Sequence, residues 1–203
     1  MILHGFQYIT LPAFTGDLPD DVSALMIANA RPKTLDHMRN VAEMSLRIGR
    51  MHGLDLKKCE HAALLHDISA VIKPADMLEY AIKTGIPLCA AEERYPFLLH
   101  QRISEIIARE YFCISDREIL SPISVHTTLR AHPDCYDMTL FIADKLAWDQ
   151  DGIPPFYDQV YSRLEDLPSA CLAYMRYMHD SGKLLSPHAL WTQGFEYLST
   201  QVP

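Results

Sequence analysis

At the end of the helical run Lys57-Lys58-Cys59-Glu60-His61-Ala62-Ala63-Leu64-Leu65, an imidazole and a carboxylate stand side by side as His66-Asp67. The run before them is apolar on its inner side, so a fold that buries it carries this polar pair to its core. Four more polar residues repeat the situation. Val41, Met44, Ile48 and Met51 form an apolar stripe at helical spacing, and one step of four back from Val41 places His37 on the same face. Asp144 lies within the stripe Leu140, Phe141, Ala147, Trp148. His100 leads into Ile103 and Ile107, and His126 follows Ile119 and Ile123.

A single histidine on an apolar helix face is more often a hydrogen-bonded core residue than a ligand. Four of them with two acids are a different matter. Burying an unpaired carboxylate costs several kcal/mol or forces its pKa upward, so Asp144 and Asp67 call for a cation or strong donors. A nitrogen and oxygen donor set with no cysteine at suitable spacing suits Fe, Mn, Zn or Co better than a thiolate site. A carboxylate next to a histidine, as in Asp67, can also serve two ions about 3.5–4 Å apart.

The chain of 203 residues, 49% of them hydrophobic, suffices for one substantial core. Few alternating β-branched runs and long stretches of 3.6-residue periodicity predict an all-α fold. Residues 1–19 read as an irregular lead-in. Residues 20–150 then carry the candidate ligands, and 151–203 form a helical extension packed on the same domain. Helices are expected over 20–30, from a cap at Thr34 or Asp36 to His52-Gly53, over 55–66, and from Pro74 to Lys83. Further helices are expected from His100 to about Phe112, from Ser115 or Asp116 with a kink at Pro122, through Asp144, over 155–181, and over 187–199. Glu92 to Pro96 reads as a loop.

A net charge of -8 argues against nucleic acid or an anionic membrane as the partner. The five cysteines contain no CxxC and read as reduced core thiols, which together with the absence of a signal-like or spanning segment predicts a cytoplasmic protein. The last two helices show no ligand set and are assigned to packing, substrate enclosure or contacts of a homodimer.

The ordered segments Asp36-His37, His66-Asp67, Leu99-His100, Val125-His126-Thr127-Thr128 and Phe141-Ile142-Ala143-Asp144-Lys145 resemble the HD superfamily of metal-dependent phosphohydrolases. More narrowly, the chain resembles the bacterial YqeK family of symmetric diadenosine tetraphosphate hydrolases over about residues 31–149. The resemblance implies an HD-domain helical bundle with additional C-terminal helices. It implies one metal on His37, His66, Asp67 and Asp144 and a second on Asp67, His100 and His126, with Asp67 bridging as the key catalytic residue. The metals would be iron first, with Mn, Zn, Co or Ni as alternatives. The reaction implied is cleavage of diadenosine tetraphosphate to two ADP by a metal-activated hydroxide. Thr127, Thr128 and Lys145 are candidate substrate contacts, with Arg102, Arg130 and Lys73 as further ones.

Three positions depart from the family pattern: Ala70 where a basic residue is common, Gln101 where a glycine follows the third histidine, and Leu129 where a glycine follows His-Thr-Thr. They leave room for a different nucleotide or phosphoester as substrate, or for a non-catalytic metal-dependent nucleotide sensor. Oxidative chemistry is a further alternative, since some di-iron HD proteins are oxygenases.

Overall fold

The computed structural model describes residues 2–148, 150, 152–184 and 186–202. All regular structure among them is helical. The α-helices are α1 (Leu18–Ala28), α2 (Pro32–Met51), α3 (Leu56–Leu65), α4 (Pro74–Thr84), α5 (Ala90–Arg94), α6 (His100–Glu110), α7 (Arg117–Val125), α8 (Cys135–Leu146), α9 (Tyr157–Tyr161), α10 (Leu167–Asp180) and α11 (Ala189–Gln201). Short 3₁₀ turns occupy Ile2–Gly5, Ile68–Val71 and Pro96–Leu99.

The centre of the bundle is α2 packed on α3 and α8, with α7 filling the space between α6 and α8. The approach of α2 to α3 is set by Gly49, where a Cβ would lie 2.8 Å from Cys59 Sγ. A side chain there would force Cys59 and Leu56 to shift. The buried face of α2 is Leu35, Met38, Val41, Ala42, Ser45 and Ile48. It is turned from the expected stripe: Met44 is only partly buried and Met51 is exposed, while Met38 is fully buried. Neither Thr34 nor Asp36 caps α2. Pro32 starts it, its fixed φ suiting a first-turn position with no N–H to satisfy.

Other helix starts follow side-chain caps. Asp55, Asp116 and Asp134 accept first-turn backbone N–H groups of α3, α7 and α8. The helix α7 continues through Pro122 to Val125. Residues Glu92 to Arg94, expected in a loop, complete α5, because Glu92 folds back to accept the Cys89 N–H at 2.9 Å. The helix expected over 155–181 is two helices, with Asp166 capping the second and Pro168 in its first turn. The lead-in is not wholly irregular either: Leu3 is 1% exposed, and the Ile2 N–H reaches Glu110 Oε2 on α6 at 3.1 Å.

Of the five cysteines, none of which forms a disulfide, Cys59 and Cys171 are buried, whereas Cys113 and Cys135 are exposed and Cys89 is intermediate, so the core reading holds for two only. Among the described residues no helix is long and apolar enough to cross a membrane.

Candidate metal centre

The six polar residues of the helical stripes meet at one place. His37 comes from the second turn of α2, His66 from the C-terminal end of α3 and Asp67 from the residue after it. His100 is the first residue of α6, His126 directly follows α7, and Asp144 belongs to the last turn of α8. His37 Nε2 lies 3.1 Å from Asp144 Oδ1, and His66 Nε2 lies 3.5 Å from Asp67 Oδ2 and 3.7 Å from Asp144 Oδ1. On the other side, Asp67 Oδ1 is 3.7 Å from His100 Nε2 and 3.6 Å from His126 Nε2. Asp67 thus faces two separate histidine groups.

Helix-end geometry fixes the rings. His66 Nδ1 donates to the Ala63 carbonyl at 2.7 Å, His100 Nδ1 to the Phe97 carbonyl at 2.6 Å, and His126 Nδ1 to the Ile123 carbonyl at 2.8 Å. In each case the acceptor is the carbonyl three residues back, where a helical turn ends and carbonyls have acceptor capacity to spare; those of Ala63 and Phe97 also take the backbone N–H of the same histidine. A carbonyl can only accept, so Nδ1 carries the proton and Nε2 presents a lone pair. This is how metal-binding histidines are usually oriented.

Two consequences of those lone pairs test whether a cation fits. His66 Nε2 is fully buried and has no hydrogen-bond partner. His100 Nε2 and His126 Nε2 are 3.0 Å apart. Two acceptors at that distance repel unless something positive lies between them, and two nitrogens bound to one ion at about 2.1 Å with an angle near 90° are separated by about 3 Å. The residues present fit a metal: two ligand groups, His37, His66 and Asp67, and Asp67, His100 and His126, have their donor atoms close enough to hold one each.

The electrostatics agree. Burial alone would raise the Asp67 carboxyl, but positive charge on the neighbouring histidines, a part that a cation takes when the rings are neutral, outweighs it and holds the group far below the usual carboxylate range. Burial opposes the charge of Asp144 as well, and Lys145 and the His37 hydrogen bond more than compensate. Burial pushes His126 down to about 4 while the Asp67 carboxylate pulls the other way, so the ring is neutral at pH 7.

The expected substrate contacts divide. Lys145 Nζ bonds to Asp144 Oδ2 and donates to the His126 carbonyl at 3.3 Å, at the edge of a cavity of about 380 Å³ that also exposes His37, Asp67 and Asp144. The Thr127 hydroxyl lies 2.9 Å from His100 Nε2. Thr128 turns inward instead: it is 2% exposed, and its hydroxyl pairs with the Gln101 amide. Arg102 is tied to Glu92 of α5 and the Pro87 carbonyl, and Arg130 to Asp137 of α8 and Ser121 of α7, so both are engaged in structural ion pairs. Lys73 lines a second cavity, about 400 Å³, that touches Asp67 and His100.

The positions that depart from the family pattern are structurally linked. Gln101 is fully buried; its Oε1 accepts the Thr127 N–H at 3.2 Å and its Nε2 reaches Thr128 Oγ1 at 3.2 Å. Gln101 therefore clamps the turn that carries His126. At the end of that turn Leu129 has φ +57°, the left-handed conformation that explains a glycine at this place, yet its side chain is fully buried. Beside Ala70, the Arg31 Nε donates to the Ala70 carbonyl at 2.6 Å, so a guanidinium lies next to the position where the family commonly has a basic residue.

A third cluster, Cys89, Glu92 and His188, has metal-ligand types but different chemistry. His188 Nδ1 accepts the Leu190 N–H at 3.1 Å, capping α11, so its proton sits on Nε2, 3.6 Å from Glu92 Oε1. That is an ion-pairing arrangement around Glu92, completed by Arg102 at 3.1 Å. The aromatic wall of the cavity at His37 and Asp144, formed by Trp148, Phe156, Tyr174 and Tyr177, is not anticipated by the sequence; all four lie in or near the C-terminal helices. The one available signal was the density of Trp and Tyr on both sides of Pro154-Pro155.

This combination of an all-helical bundle and a His/Asp centre built around one His-Asp dipeptide is that of HD domain proteins. The HD domain family profile matches residues 34–149, more than half of the chain, and the chain belongs to that family. A protein from Lactococcus lactis subsp. cremoris, known only as an uncharacterized protein in the pepC 5′ region, is 38% identical over 122 residues, 60% of this chain and 63% of that one. Two proteins named symmetrical bis(5′-nucleosyl)-tetraphosphatase are more distant relatives. The one from Halalkalibacterium halodurans is 28% identical over 112 residues, covering 53% of this chain and 57% of its own length. That from Staphylococcus aureus is 25% identical over 137 residues, covering 64% and 68%. The matches thus span less than two thirds of the first two relatives. The fold is shared with a crystal structure from Clostridium acetobutylicum described as a predicted HD superfamily hydrolase involved in NAD metabolism, at a TM-score of 0.79 and 22% identity over 90% of this chain and 97% of that one.

Proposed function

We propose that this protein is a metal-dependent phosphohydrolase of the HD superfamily that cleaves a nucleotide phosphoanhydride, with diadenosine tetraphosphate, split into two ADP, as the substrate favoured by its distant relatives. The observation that carries the reading is the pair of lone pairs at His100 and His126, 3.0 Å apart and facing Asp67, opposite the buried partnerless Nε2 of His66. His37, His66, Asp67 and Asp144 would hold one divalent cation and Asp67, His100 and His126 the other, with iron as the first candidate. Cations held there supply Lewis-acid chemistry, neutralising charge on a phosphoryl group and lowering the pKa of a water.

The protein's own residues do the positioning. Asp67 stays ionised and serves both histidine groups. Lys145 remains charged although burial opposes it, because Asp144 lies against it, and one of its three ammonium protons is left for a substrate oxygen. Thr127 offers a hydroxyl beside His100. No serine or cysteine nucleophile is required for in-line displacement at phosphorus.

The test is anaerobic incubation of iron- or manganese-loaded protein with diadenosine tetraphosphate, followed by chromatography of the products. ADP as sole product supports symmetric cleavage; AMP with ATP, or no turnover by fully loaded protein, overturns the substrate assignment.

A further inference from the structure

Asp67 lines two cavities of unlike character. The one that also contains His100 carries two cations, Arg31 and Lys73. The one that also contains His37 and Asp144 has two lysines as well, Lys145 and Lys183, but is walled by aromatic rings. Phe156 is their hub, with centroids 6.0 Å from Trp148, 5.0 Å from Tyr174 and 5.4 Å from Tyr177, at angles that set the rings edge to face for the first two and tilted for the third. Lys183 Nζ reaches the Tyr177 hydroxyl at 3.0 Å, and Lys145 lies within 5.9 Å of the Tyr174 ring centroid. Trp148 is 36% exposed, whereas the other tryptophan, Trp191, is 6% exposed. A large ring kept at the opening of a cavity that leads to the metal centre is a surface for a flat ligand.

We propose that this cavity, about 380 Å³ in volume, seats a nucleobase of the substrate against Trp148 and Tyr177. This rests on the phosphohydrolase reading of the centre. The nucleotide's phosphates then pass over Asp67 toward Arg31 and Lys73. The volume is within the range of small-molecule sites, roughly 300–1,000 Å³. Flat rings give the stacking that any base offers. Lys145 and Lys183, which also line the cavity, balance the phosphate that follows the base. The base cavity is built by α10 with Trp148, Pro155 and Phe156, which gives α10 a role beyond covering α8.

AMP and ribose 5-phosphate differ only in the base, so their binding to the metal-loaded protein, followed by calorimetry and tryptophan fluorescence, isolates it. AMP should bind at least about 5-fold more tightly, the low end of base–aromatic stacking, and should quench fluorescence in a way that Trp148→Phe abolishes. Tyr177→Ala and Trp148→Ala should each shrink the preference for AMP, while Tyr177→Phe, which keeps the ring, should retain it and shows that ring loss rather than misfolding is responsible. Equal binding of AMP and ribose 5-phosphate overturns the proposal, as does a preference that survives both alanine variants. Base-dependent binding by a protein that turns over no phosphoanhydride would remove the hydrolase reading and leave this one standing; turnover without base-dependent binding would do the reverse.

Discussion

His100 Nε2 and His126 Nε2 face each other at 3.0 Å while both Nδ1 atoms donate to backbone carbonyls. In metal-free protein this contact opposes two lone pairs and costs stability; with a cation it becomes a binding site. His100→Asn, which keeps a donor for the Phe97 carbonyl, should therefore be as stable as wild type or more stable in the presence of a chelator, and less stable once metal is added. A ligand at 100 times its Kd stabilises by about 2.7 kcal/mol, so the difference in thermal midpoint between metal-loaded and stripped samples should be several degrees smaller in the variant. Calorimetric scans of both proteins in both states measure it.

Leu129 combines a left-handed backbone with a fully buried side chain. At an ordinary helix or strand position glycine is less stable than alanine by roughly 0.5–1 kcal/mol. Here the order should invert. Both Leu129→Ala and Leu129→Gly lose the buried side chain, about 2–5 kcal/mol for alanine, but glycine also relieves roughly 1–2 kcal/mol of backbone strain. Urea unfolding should place Leu129→Gly between wild type and Leu129→Ala; a glycine variant weaker than the alanine one contradicts the strain argument.

Arg31 donates to the Ala70 carbonyl and lines the cavity that contains Asp67 and His100. Its removal should weaken binding of the substrate's phosphate chain more than it slows the chemical step. For Arg31→Ala, steady-state kinetics with diadenosine tetraphosphate should give a KM raised on the order of tenfold and a kcat changed by less. An unchanged KM would place the phosphates elsewhere.

Much of the centre was legible in the sequence because a helix repeats every 3.6 residues. His37, His100, His126 and Asp144 could be placed on apolar faces from spacing alone, and the structure brings them together with His66 and Asp67. Periodicity fixes a face only to within a residue or so, which is why Met51 and Trp148 were read as inward and are exposed. Thr128 and Gln101 were illegible for a different reason: their pairing joins α6 to the turn after α7, across 27 positions of the chain, and nothing local signals it. The aromatic wall likewise depends on how α10 docks on α8. The short α5 depends on one folded-back side chain, Glu92.

Glu92 is 1% exposed and bound by Arg102, His188 and the Cys89 N–H. Burial works against its charge, yet these donors bring its carboxyl down from 4.5 to about 2. A carboxyl depressed on folding stabilises the protein above its unfolded pKa and loses that contribution as pH falls through the folded one, here between about pH 4.5 and about pH 2. Glu92→Gln should cost about 3 kcal/mol near pH 7, since it leaves Arg102 without its buried partner, and the deficit relative to wild type should shrink through that window. Denaturant melts at pH 7, 4 and 3 would show it, and metal content should be unaffected because Glu92 lies outside the centre.

The central claim is that one carboxylate, Asp67, serves two ions. Elemental analysis of protein purified anaerobically, as wild type and as Asp67→Ala, tests it most directly, with circular dichroism to confirm that the variant is helical. The account predicts two metal ions per chain in wild type and loss of both in Asp67→Ala, together with all turnover. A folded Asp67→Ala protein that keeps a full complement of metal, or a wild type that binds none when iron or manganese is supplied, would contradict it.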